Sequence, residues 1–161
     1  MVQSAQFLST DGSLGVILNT ALPFATILDL FQKRGLPVQN FFFIDAVSRQ
    51  SGGAENPQAV FLTSCSALTE MSVAFQEVIA SLATTKKSFF LINSLSMMAI
   101  HNPPDALARF VHFTLTKMRL SGIGGLIFSA KGQLEPDVRA ELAQLCDRTL
   151  SCDFLQAPRP K

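Results

Sequence analysis

The chain has 161 residues, of which 48% are hydrophobic and 16% charged, and its formal net charge is +1. This length fits one domain with its own core, so we expect residues 1–161 to form a single domain. The near-neutral charge gives no indication of nucleic-acid binding or of an anionic membrane surface, and no apolar run reaches the about 20 residues that span a bilayer.

The first part of the chain predicts strands that alternate with helices. Residues 5–9 predict a possible extra strand, antiparallel to the next one, because the Asp11-Gly12 dipeptide that follows favours a hairpin turn. Residues 15–20 predict a short buried strand. Pro23 then opens a helix whose apolar residues recur at helical spacing. Residues 40–48 predict the second strand, residues 49–58 a loop with two Gly and one Pro, and residues 59–64 the third strand.

The second part repeats this alternation. An apolar stripe from Leu68 to Leu82 predicts a helix, and residues 88–93 predict the fourth strand. Pro104 opens a long helix that ends near Ser121, and residues 124–130 predict the fifth strand. Pro136 opens the last helix, and residues 149–155 predict a terminal strand.

Helices of this length between strands indicate crossover connections, which join parallel neighbours. We therefore expect a three-layer α/β fold with a mainly parallel sheet of six or seven strands and helices on both faces. Ligands of such sheets bind beyond the carboxyl ends of the strands. The candidate residues at this crevice are Asn19, Asp45, Asn93, Ser94 and Ser129.

Three segments, in this order, resemble RecA/KaiC-like P-loop ATPases. GVILNTALPFATILDLFQKRGLPVQNFFFIDAVS is similar to the strand–helix–strand unit that follows the phosphate loop of that family. FFLINSLSMM resembles the Walker B strand, and ARFVHFTLTKMRLSGIGGLIFSA resembles the next helix and strand. The likeness covers residues 14–150 and is greatest to small archaeal KaiC-like proteins of unassigned activity. It implies a RecA/KaiC-like core.

The departures from that family argue against ATP hydrolysis. A Walker A loop, GxxxxGK[ST], uses backbone N–H groups and a Lys to hold phosphate, and the sequence contains no such stretch. Asn93 stands at the position of the Walker B acid. Asn19 and Thr20 stand where the resemblance implies a catalytic Glu. Because phosphoryl transfer depends on positioning and charge stabilisation, we expect a degenerate, non-hydrolysing domain with no catalytic residue, metal or cofactor.

Several residues allow a second interpretation. Asn93 and Ser94 could bind a ligand or could cap their strand, and Asp45 could be an acid in the crevice or could cap a turn. Cys65 lies near a predicted helix N-terminus, which would lower its pKa, so a reactive thiol is an alternative to a buried one. The three cysteines, an odd number without CxxC spacing, favour reduced thiols in a cytoplasmic protein.

The functional expectation is association with other proteins. The apolar composition and the 14 phenylalanines favour a homo-oligomer or a complex with a related ATPase. The alternative is a nucleotide or small-ligand binding module that uses the strand-end crevice without hydrolysis. A third hypothesis is a different enzyme with chemistry at Cys65 or Asp45. Neither a membrane nor nucleic acid is an expected partner.

Overall fold

The computed structural model describes residues 1–9, 12–51, 56–82 and 87–151. These residues form a five-stranded, fully parallel sheet in the order β3-β2-β1-β4-β5. The strands are β1 (Leu14–Asn19), β2 (Phe41–Asp45), β3 (Ala59–Phe61), β4 (Ser88–Asn93) and β5 (Gly124–Phe128). The helices are α1 (Val2–Leu8), α2 (Phe24–Lys33), α3 (Leu68–Leu82), α4 (Leu95–His101), α5 (Pro104–Leu120) and α6 (Pro136–Gln144), with 3₁₀ turns at Val38–Asn40 and Ser48–Ser51.

Helices cover both faces of the sheet, so the expected three-layer α/β fold is confirmed. Successive side chains of a strand point to opposite faces, and β1 divides in this way. Ile17 packs in a cluster with side chains of α1 and α2. Val16 and Leu18 pack in the other cluster, to which helices α3 to α6 contribute.

Phenylalanine rings fill much of the layer beneath α1 and α2. Phe31 of α2 meets Phe41 of β2 edge to face at 4.9 Å, and Phe24 meets Phe43 in the same geometry at 5.1 Å. Such edge-to-face pairs add to the free energy of burying the rings. This packing fixes α2 over β2, and α2 begins just beyond the carboxyl end of β1.

The register brings three polar residues into one row. Asn19 at the end of β1 lies opposite Asp45 of β2 on one side and opposite Asn93 of β4 on the other. The strand order reverses at β1, since β2 and β3 lie to one side and β4 and β5 to the other. This reversal makes the gap between the ends of β1 and β4 the topological switch point, where open α/β sheets bind ligands.

One predicted element is wrong, and two further predictions extend beyond the described residues. Residues 5–9 form no strand, because Val2, Ala5 and Leu8 recur at helical spacing and pack against the sheet, so residues 2–8 form α1. The described residues form five strands rather than six or seven. Residues 149–151 of the predicted terminal strand have no strand geometry, and residues 152–155 lie outside the described part of the chain. The predicted hairpin turn also falls partly outside it, since Asp11 is not described.

Helix α4 was not predicted from the sequence. It follows β4 directly, and Leu95 and Met98 bury one side of it in the core. Over the described ranges, no helix is both long enough and apolar enough to cross a membrane.

Candidate functional site

The candidate site is the row of polar groups at the carboxyl ends of β1, β2 and β4. Asn19 and Asp45 are both fully buried there, with 0% of their surface exposed. The Asn19 Nδ2 donates to Asp45 Oδ2 at 2.6 Å and also to the Leu22 carbonyl. Asn19 Oδ1 accepts from the backbone N–H groups of Ala21 and Leu22, both at 3.3 Å. The amide therefore uses both of its donors and its acceptor within the protein.

The Asp45 carboxylate caps the turn that follows β2. Its Oδ1 accepts from the backbone N–H groups of Val47 at 2.9 Å and Ser48 at 2.6 Å, which is the pattern of an Asx turn. The Ser48 hydroxyl in turn accepts from the backbone N–H of Phe24 at 2.7 Å, at the start of α2. One carboxylate thus connects the ends of two strands and the start of a helix. This is the turn-capping alternative that the sequence left open.

Thr20 spans the switch point between β1 and β4. Its backbone N–H donates to the Asn93 carbonyl at 2.7 Å. Its hydroxyl donates to the Ser94 carbonyl and accepts from the Ser94 N–H, both at 2.9 Å. The Asn93–Ser94 peptide is cis. The gap that an open sheet would offer to a ligand is therefore bridged by hydrogen bonds of the protein itself.

The bridging continues from β4 to the end of β5. The hydroxyls of Ser94 and Ser96 lie 3.2 Å apart, and Ser96 Oγ accepts from the Ala130 N–H at 3.2 Å. Ser129, the fifth candidate, lies beside Ala130 but is exposed to solvent. The Asn93 side chain is half-buried, and no hydrogen bond of its amide is found within the described ranges.

The structure thus brings together Asn19 and Asp45 in one network and Ser94 in a second, adjoining one. It leaves Asn93 and Ser129 beside these networks. Thr20, Ser48 and Ser96 complete the contacts, although they were not among the five candidate residues. The only signal for them was their position as polar residues just after a strand.

Cys65 lies against this row but is not activated. Its Sγ approaches the carbonyl oxygens of Ala46 at 3.5 Å and Thr20 at 3.6 Å. Burial raises the pKa of the Cys65 thiol, and the nearby Asp45 carboxylate raises it further. The predicted lowering by a helix N-terminus is wrong, because α3 begins only at Leu68 and the surroundings of the sulfur favour the neutral thiol.

In the described parts of the chain, no hydrogen bond of this row involves a histidine, and no cluster of metal-binding side chains is found. His101 ends α4 and His112 lies on α5, and both are exposed. No three His, Cys, Asp or Glu side chains in those parts are grouped to hold a metal ion. The chemistry that the row does support is hydrogen bonding between the protein's own elements.

The comparisons with known proteins identify a shared fold. No protein-family model matches the chain, and no curated protein matches it. The chain is similar to the crystal structure of the uncharacterized protein PH0321 from Pyrococcus horikoshii in complex with an unknown peptide. The TM-score is 0.65 at 12% sequence identity, over 91% of this chain and 67% of that one. At this identity the similarity establishes the fold class, a three-layer α/β domain.

Proposed function

We propose that this protein is a non-hydrolysing RecA/KaiC-like domain that acts through protein–protein contacts, as a homo-oligomer or beside a related ATPase. The proposal rests on the motif order given above and on the missing phosphate loop. It also rests on Asn93, an amide in place of the acid that would hold Mg²⁺.

The observation that carries this proposal is the closed network at the strand ends. Asn19, Asp45 and Thr20 are each at most 1% exposed, and their hydrogen bonds run to other groups of the chain. A ligand that used these groups would have to break those bonds. Each buried donor or acceptor left without a partner costs about 1–3 kcal/mol, so a ligand would first have to offset several such terms.

Contacts with other proteins are supported by the apolar side chains that remain outside the core. Val73 on α3 is 50% exposed, Ile100 on α4 is 63% exposed and Leu120 at the end of α5 is 79% exposed. Exposed apolar surface of this kind gains free energy when a partner covers it. The unknown peptide in the structure of the Pyrococcus horikoshii protein supports a contact role for this fold.

Light scattering across a concentration series from micromolar to millimolar tests the oligomer. We expect a mass above that of one chain, reduced by at least one of the variants Val73→Asp, Ile100→Asp and Leu120→Asp. His101→Asp, which changes an exposed residue next to Ile100, is the matched control and should leave the mass unchanged. A single-chain mass at millimolar concentration would overturn the homo-oligomer, and release of phosphate from ATP would overturn the non-hydrolysing assignment.

A nucleotide or small-ligand module is the second candidate, and Asn93 and Ser129 favour it. The side chains of these two residues keep exposed surface at the crevice, whereas the other three candidate residues take part in hydrogen bonds within the protein. A rise in melting temperature with ATP that Asn93→Ala removes, and that Asp29→Ala on the exposed side of α2 does not, would support this candidate over the first.

A further inference from the structure

A groove between α5 and α6 is a feature that neither the strand-end row nor the proposed function uses. Its volume is about 390 Å³, which falls within the about 300–1,000 Å³ typical of small-molecule sites. No residue of the strand-end row lines it. The lining residues are Asp105, Ala108, Arg109, His112, Glu141 and Leu145.

One face of each helix forms a wall of the groove. Asp105, Arg109 and His112 follow one another at intervals of four and three residues on α5, so their side chains emerge on the same face. Glu141 of α6 and Leu145 directly after it are four residues apart and share a face in the same way. The groove is therefore built from two helices that pack on the same side of the sheet.

The floor of the groove is apolar. Ala108 is only 7% exposed, and Leu145 is half-buried against the core cluster that contains Leu107 and Leu142. Ala108 is also small, so the space above it stays open between the longer side chains. A chain of methylene groups placed there would exchange water for an apolar surface, which is favourable.

The charged groups at the rim have no partner within the part of the chain that the structure describes. There, the side chains of Asp105, Arg109 and Glu141 form no ion pair and no hydrogen bond. Asp105 and Arg109 are one turn apart, a spacing at which such pairs commonly form on a helix. The rim thus presents two carboxylates and one guanidinium to the groove, and no described neighbour neutralises them.

The signs and the number of these charges define the ligand that complements them. Such a ligand carries two cationic groups for the two carboxylates, one anionic group for the guanidinium, and an apolar chain for the floor. A basic α-amino acid has these parts: an α-ammonium, a carboxylate, and a side-chain cation at the end of a short methylene chain. Its carboxylate also matches the planar fork of an Arg side chain, which can bind both carboxylate oxygens.

We propose that the groove between α5 and α6 binds a free basic α-amino acid, lysine or arginine. The carboxylate of the ligand meets Arg109, and its two cationic groups meet Asp105 and Glu141. Its methylene chain lies over Ala108 and Leu145. This site is separate from the strand-end row, so it does not depend on the proposed function.

A titration of the isotope-labelled protein with L-lysine, followed by NMR, tests this proposal. The amide signals of residues 105–112 and 141–145 should shift and saturate, with a Kd in the millimolar range because exposed charge pairs are individually weak. Norleucine lacks only the side-chain amine of lysine, and cadaverine lacks only the carboxylate. Each should bind more weakly than lysine by a factor of about five or more. An absence of saturable shifts in the groove, or equal binding of either analogue, would overturn the proposal.

Isosteric variants test the three charged residues. Asp105→Asn, Glu141→Gln and Arg109→Gln should each weaken lysine binding by a factor of about three to five. Asp137→Asn and Arg139→Gln are the matched controls, because they make the same changes in net charge at exposed positions outside the groove, and they should leave the Kd unchanged. Because lysine is a net cation, attraction by overall charge alone would strengthen when Arg109 loses its charge. Tighter binding to Arg109→Gln, or equal losses in the variants and their controls, would overturn the site.

Two further ligands distinguish a free amino acid from the end of a partner chain. Acetylation of the α-amine of lysine, or a peptide that ends in lysine, keeps the carboxylate and the side-chain cation but removes the α-ammonium. Both ligands should therefore bind more weakly than lysine by a factor of about five. Equal or tighter binding of the peptide would overturn the free amino acid in favour of the carboxyl terminus of a partner protein.

Discussion

Replacing Asp45 by Ala should destabilise the protein far more than the loss of an ordinary charged residue. The substitution removes the acceptor for the N–H groups of Val47 and Ser48 and for the Asn19 amide. Two of these contacts, at 2.6 Å, are short, and the carboxylate lies where solvent does not reach it. The alanine side chain has no hydrogen-bond acceptor for those three donors.

The magnitude follows from the number of donors left without a partner. At about 1–3 kcal/mol for each, and with some relaxation of the turn, the loss in the free energy of unfolding should be about 3–6 kcal/mol. That is a large part of the about 5–15 kcal/mol that stabilises a typical domain. Asp45→Asn keeps an acceptor oxygen for the two backbone N–H groups, so it should cost about half as much.

Urea denaturation followed by circular dichroism measures this loss. The matched control is Asp29→Ala, since Asp29 is exposed and its main contact is an ion pair with Lys33 at 2.6 Å, one turn further along α2. Such surface pairs contribute about 0.5 kcal/mol or less. If Asp45→Ala cost under about 1 kcal/mol, the carboxylate would not hold the strand ends together and the reasoning would be refuted.

Three further predictions concern packing and thiol chemistry. Gly125→Ala should lower the free energy of unfolding, measured by urea denaturation, by about 1–3 kcal/mol, because a Cβ there would strike the Phe90 carbonyl. The neighbouring Gly124→Ala is the control and should change it by no more than about 0.5 kcal/mol, since the space around the new atom is open. Thr114→Val should raise the free energy of unfolding by about 1 kcal/mol, since the Thr114 hydroxyl is buried and has no hydrogen-bond partner in the described structure. A destabilised variant would show that this hydroxyl does form a hydrogen bond. Cys65 should react more slowly than free cysteine with a thiol reagent at neutral pH, because its raised pKa reduces the thiolate fraction. The reaction should become faster as the pH rises. A reaction faster than that of free cysteine at neutral pH would contradict the placement of the thiol against the carbonyl oxygens.

The sequence was informative about the elements that bury a long apolar pattern. The alternation of strands and crossover helices follows from apolar runs and from the prolines that open α5 and α6, and it predicts the parallel sheet. Helices α1 and α4 were not predicted, because each has only seven residues, which is too few to show a clear helical period. In α1 the Asp11-Gly12 turn signal also favoured a hairpin, which the packing of Ala5 against the sheet overrides.

The candidate site was predictable in position but not in its bonds. Polar residues after parallel strands must gather at one edge, so Asn19 and Asp45 were expected to be close. Whether such groups face a ligand or the backbone depends on turn geometry, which the sequence states weakly. The path of the chain after Asp45 turns the N–H of Ser48 back onto the carboxylate, and this could be seen only in three dimensions.

The most direct test of the account is the melting temperature of the protein in millimolar ATP and Mg²⁺, measured together with phosphate release. A closed strand-end network without a phosphate loop predicts an unchanged melting temperature and no release above that of buffer. A ligand at a hundredfold its Kd would add about 2.7 kcal/mol of stability. A rise in melting temperature that corresponds to such a gain in stability, together with ATP turnover that Asn93→Ala abolishes, would contradict the account.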